Sequence, residues 1–133
     1  MKVIQVISGH IPIENTGSRR WGAVELIQSE YQKWLRYQGI NCEIKWLNEV
    51  QPDAETVVHI HVANLCLEAK KMGIPYIYSN HDHTSVHYGK GSWLYNQQLE
   101  AIKGSVFSIC HAESVINFFD STDKLFYLPH GVD

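Results

Sequence analysis

The sequence predicts a Rossmann-like, three-layer α/β/α domain with a mainly parallel sheet of about six strands. Short β-branched runs alternate with stretches of helical periodicity along the whole chain. Glycines stand where those helices should end, at Gly39 and Gly73. Polar, histidine-bearing segments follow several of the strands.

Val3–Ser8 reads as a first buried strand, closed by Ser8-Gly9, and a polar loop runs from His10 to Arg20. From Trp21 to Gln38 the apolar residues Val24, Ile27, Tyr31, Trp34 and Leu35 recur at helical spacing, and Gly39 caps the helix. Cys42–Leu47 and Val57–Val62 are the second and third strands, and a helix from about Leu65 to Met72 ends at Gly73. Ile74–Ser79 carries Pro75 near its start, where a strand tolerates it. A polar stretch from Asn80 to Ser92 leads into a helix near Trp93–Lys103. Val106–Cys110, a helix over Glu113–Phe119 and a short strand at Leu125–Leu128 complete the pattern.

At 133 residues, 44% of them hydrophobic and 11% aromatic, the chain is sized for one domain with a core that needs no staples. A net charge of -3 gives no basic field, and the basic residues are scattered apart from Arg19–Arg20 and Lys70–Lys71. That excludes a nucleic-acid partner. Cys42, Cys66 and Cys110 sit in or beside apolar runs without paired spacing, as small hydrophobes do. Val3–Ile7 is too short for a signal-peptide core, and no run approaches the ~20 apolar residues of a membrane span. The expected location is cytoplasmic, at most peripheral to a membrane.

A parallel sheet with right-handed crossovers binds its ligands outside the carboxyl ends of the strands. Ser8-Gly9-His10, His61 to Asn64, Asn80 to His83 and His111-Ala112-Glu113 should therefore converge on one edge. Gly22, with Arg19 and Arg20 before it, opens the first long helix and suits a phosphate at a helix N-terminus. The plainer reading is a glycine that relieves crowding where loop meets helix. His59 and His61 share one face of a strand. With His81, Asp82, His83 and His87 they could supply zinc ligands. Otherwise one lies under a helix and one at the cleft rim. His81 can hydrogen-bond a substrate hydroxyl or stabilise charge at a reacting centre, with Asp82 to orient an imidazole, or the loop simply meets water. In the first helix, Trp21, Tyr31, Lys33, Trp34, Arg36 and Tyr37 offer a membrane-touching face, although most of these aromatics are expected in the core.

An ordered set of short motifs along the whole chain resembles the family 4 glycosyltransferases, retaining enzymes of the two-domain GT-B fold. Met1-Lys2-Val3-Ile4-Gln5-Val6-Ile7 is similar to that family's first strand, and Gly22-Ala23-Val24-Glu25 to its Gly-Gly-Val-Glu helix start. Gly39 falls where the family's helix ends, followed by Ile40-Asn41-Cys42-Glu43-Ile44. Pro52-Asp53 with Val57-Val58-His59-Ile60-His61 is like its third strand and strand-end histidine. Gly73-Ile74-Pro75-Tyr76-Ile77-Tyr78-Ser79-Asn80-His81-Asp82 resembles Gly-Ile-Pro-Val-Val-x-Thr-x-His-Asp. Leu128-Pro129-His130-Gly131-Val132-Asp133 resembles Ile-Pro-Asn-Gly-Val-Asp, which opens the donor domain.

The resemblance implies a nucleotide-sugar donor, a glycan or lipid-linked acceptor hydroxyl, and no cofactor or metal. It places Gly22, Ala23 and Arg19 near the donor diphosphate and makes His81 the group facing the reacting sugar. His10, His61, Asn80, Asp82 and Glu113 would line the acceptor cleft. Ala23 stands where the family has a second glycine, and Ala112 where serine is usual before Glu113-Ser114. Residues 1–133 would be the N-terminal, acceptor-side domain, with the donor domain absent and little or no transferase activity without it. The alternatives are a stand-alone carbohydrate- or anion-binding module and a small zinc hydrolase. A missing domain would leave exposed apolar surface near the strand ends or the C-terminus.

Overall fold

The computed structural model describes residues 1–7, 23–51, 53–81, 88–119 and 123–129. Within them the chain forms β1 (Lys2–Val6), α1 (Ala23–Tyr37), β2 (Asn41–Lys45), a 3-10 turn (Leu47–Glu49), β3 (Thr56–Ile60) and α2 (Ala63–Lys71). β4 (Ile77–Asn80), α3 (Trp93–Gly104), β5 (Phe107–Cys110), α4 (Glu113–Phe118) and β6 (Leu125–Tyr127) follow. The strands form a six-stranded parallel sheet in the order β2-β1-β3-β4-β5-β6, the expected α/β class. The chain divides into two compact units, Met1–Ile60 and His61–Asp133.

In the first unit, β1 pairs with β2 from Lys2↔Asn41 to Val6↔Lys45, and with β3 from Lys2↔Thr56 to Gln5↔His59. Ile4, Val6, Cys42, Ile44, Val58 and Ile60 are buried, as the β-branched runs foretold. β3 starts from an Asx turn, in which Asp53 Oδ1 accepts from Glu55 N at 2.9 Å and Thr56 Oγ1 at 2.8 Å. α1 ends at Gly39, whose φ of 82° only glycine adopts cheaply. Ile40 N–H then closes the turn onto Leu35 O at 2.8 Å.

The inward face of α1 differs from the expected apolar stripe. Gln28 is buried and donates its amide to Val6 O, with Ile27, Tyr31 and Leu35 half-buried around it. Trp34 and Tyr37, expected in the core, are instead 59% and 84% exposed. At 100° per residue, a helix that turns Gln28, Tyr31 and Leu35 inward must turn positions 30, 34 and 37 outward.

In the second unit, β5 pairs with β4 from Ile77↔Phe107 to Asn80↔Cys110, and with β6 from Ser108↔Leu125 to Cys110↔Tyr127. α2 and α3 pack on each other and on β4, and α4 packs on β5 and β6. Ala69, Tyr76, Tyr78, Ala101, Ile102 and Val115 are buried here. Ser92 caps α3 by accepting from Tyr95 N at 3.2 Å. At its other end, the Lys124 ammonium donates to Lys103 O at 2.9 Å and Ser105 O at 3.0 Å, a cation where the helix dipole favours one.

Candidate functional site

Three histidines occupy the first position beyond a strand: His61 after β3, His81 after β4 and His111 after β5. All three belong to the second unit and form one group. His61 is buried, while His81 and His111 are half-buried. His61 Nδ1 and His81 Nε2 lie 2.8 Å apart. Their ring planes differ by 13° and their centroids are 5.0 Å apart. That separation is about what two imidazoles joined edge to edge by such a bond must have. The near-parallel planes therefore describe an in-plane N–H···N hydrogen bond rather than face-to-face stacking. Such a bond needs one protonated and one bare nitrogen.

His111 lies beside His81, with centroids 4.9 Å apart and planes within 22°. Its Nδ1 is 2.7 Å from Leu128 O. A carbonyl only accepts, so His111 Nδ1 carries a proton and donates it. Cys110, one residue earlier, is buried, and burial pushes its thiol up, away from a nucleophilic thiolate at neutral pH. The arrangement gathers three imidazoles, a side chain able to donate, accept and carry a proton. It offers no activated sulfur nucleophile.

His61 and His81 are thus brought together, and Asn80 lies beside them in sequence as the last residue of β4. Asn80 is fully buried, so it forms part of the wall rather than a surface open to a ligand. Glu113 opens α4 and is exposed. Ala112 occupies the N-cap position of α4, where it makes no side-chain cap. Ala23 is the first residue of α1. His10, Arg19, Gly22, Asp82, His83 and His87 lie outside the described residues, so the expected phosphate cradle does too.

His59 separates from its sequence neighbour His61. Its Nδ1 accepts from Gln5 Nε2 at 2.9 Å, and its ring lies near-parallel to Tyr31 of α1, with centroids 5.8 Å apart. Burial raises the Tyr31 hydroxyl pKa. His59 is therefore a histidine packed under a helix. Among the described residues, no three His, Cys, Asp or Glu side chains are grouped to hold a metal ion. The sequence placed His111 at the converging strand ends but assigned it no role in the site, although it is the third histidine directly after a strand.

Comparison with protein-family models, curated proteins and solved structures found no match to this chain.

Proposed function

We propose that this chain is the acceptor-side half of a retaining GT-B glycosyltransferase, which moves a sugar from a nucleotide-sugar donor to a glycan or lipid-carrier hydroxyl. The observation that carries the reading is the group of His61, His81 and His111, each placed directly after a parallel strand. Ligands of this fold class bind at that end of the sheet. The ordered motifs from Gly22-Ala23-Val24-Glu25 to Leu128-Pro129-His130-Gly131 add to it. In this reading His81 faces the reacting sugar as an acceptor-site or transition-state group. His61, bonded behind it at 2.8 Å, fixes the ring orientation. Arg19, Gly22 and Ala23 are assigned to the donor diphosphate on the motif alone.

One observation favours a half-enzyme over a stand-alone sugar-binding module. Phe126, Tyr127 and Leu128, along β6 and just beyond it, stand exposed. A partner domain would cover such apolar surface.

The test is a transfer assay with a panel of nucleotide hexoses, run on the protein as its native source makes it. His81→Ala should lower kcat by about 100-fold while donor affinity holds, as loss of a group acting at the reacting centre requires. Residues 1–133 alone should show little or no turnover. Robust transfer by those residues alone would overturn the half-enzyme reading, and an H81A variant of full activity would remove His81 from the reaction.

A further inference from the structure

The outer face of α1 carries side chains that folding does not use. Leu26, Glu30, Lys33, Trp34 and Tyr37 follow one another at helical spacing on the solvent side. Trp34 is 59% exposed and Tyr37 84% exposed, so hydrophobic burial does not account for either ring. The two rings stand nearly perpendicular, at 81°, with centroids 6.0 Å apart. Together with Glu30 and Lys33 they line an open, shallow hollow of about 390 Å³ on the helix surface.

We propose that this hollow is a glycan-binding site for a neutral pyranoside. A pyranose has one face of C–H bonds and a rim of hydroxyls. Two aromatic rings set as a corner offer an apolar floor and an apolar wall. The carboxylate of Glu30 accepts from hydroxyls at the rim, and the ammonium of Lys33 donates to them. In the free protein these two groups pair at 3.2 Å in the open. Exposed ion pairs of this kind are worth little, so hydroxyls can displace them cheaply. The charges cancel, which favours an uncharged ligand over a phosphate or an anionic lipid surface. Arg36, the nearest further cation on the helix, is committed to Cys42 O at 3.0 Å. The site uses none of the histidines and does not depend on their chemistry.

The experiment records amide and indole N–H spectra of the 15N-labelled chain during titration with maltohexaose, cellohexaose and chitohexaose. At least one should shift the Trp34 indole N–H and the α1 amides saturably. Trp34→Ala and Tyr37→Ala, both at exposed positions, should each weaken that binding by about tenfold. H81A should leave it unchanged, and W34A should leave kcat of the complete enzyme on a small acceptor unchanged. The proposal falls if none of the three oligosaccharides moves the Trp34 signal, or if W34A binds as tightly as the native chain. It falls equally if mixed phosphatidylcholine and phosphatidylglycerol vesicles move that signal where the oligosaccharides do not. A shift on dilution alone would assign the face to self-association instead.

Discussion

Cys42 is fully buried on β2, and burial pushes its thiol up to about 11 from an ordinary 9.0, with Arg36 lowering it in part. Cys66 and Cys110 are shifted the same way by the same cause. A raised folded-state value means that the native chain holds a proton the unfolded chain releases. The contribution to stability is therefore complete below about 9 and is lost as the pH rises toward 11. Urea unfolding at pH 7, 9 and 10.5 should show the native chain weakening faster with pH than Cys42→Ala, so that their stability gap narrows. A gap constant over that range would show that the Cys42 thiol titrates alike in both states. The same burial predicts that an aromatic disulfide reagent finds no fast-reacting thiol in the folded protein at pH 8. All three cysteines should react in urea. The histidines differ from the thiols in that their hydrogen-bond partners come from distant parts of the sequence. Leu128 lies 17 residues from His111 and His81 lies 20 from His61, so the sequence could name candidates but not their bonds.

α3 shows how one element is locked in place. The Tyr76 hydroxyl donates to Ala101 O at 2.7 Å, and a Cβ built on Gly104 would lie 2.8 Å from the Tyr76 hydroxyl oxygen. Gly104→Ala should therefore destabilise the chain by about 1–3 kcal/mol, even though alanine is the better helix former. Tyr76→Phe removes the oxygen that the new methyl would strike. The double variant G104A/Y76F should then be less destabilised than the sum of the two single changes, as thermal unfolding would show. Additive losses would mean the methyl is accommodated elsewhere. The sequence revealed every strand and α-helix among the described residues to within a few residues, because strand and helix periods and the glycine stops at Gly39 and Gly73 are local signals. Two departures have plain causes. The strand expected over Cys42–Leu47 gives way to a 3-10 turn at Leu47, where Trp46 N–H donates to Glu49 Oε1 at 3.0 Å. The strand expected from Ile74 begins only at Ile77, after Pro75, which has no N–H to give a ladder. The orientation of α1 was not legible, because it depends on Gln28 reaching Val6 O, and a polar anchor leaves no mark in a hydrophobic pattern.

For the whole molecule, the question is what the second unit presents at the end of its sheet. β6 is an edge strand, and sheets of this class normally have both faces covered. Ile109 registers with Phe126 on one face, where Phe107 and Phe126 meet edge to face at 6.2 Å. Phe107 and Ile109 are half-buried, while Phe126 and Leu128 are each 54% exposed. The opposite side of the same strands buries Ser108, Cys110 and Leu125. If the exposed side is a surface meant for another domain, it should bind an apolar dye and promote association as concentration rises. The variant Phe126→Thr with Leu128→Ser should lose dye fluorescence and remain monomeric by sedimentation. Its unfolding temperature should fall by no more than a few degrees, because neither side chain is buried. A large loss of stability with unchanged dye binding would instead make Phe126 part of the core of its own unit. The net charge of -3 gives only weak repulsion between copies, so the association measured in this way reports the apolar strand rather than electrostatics.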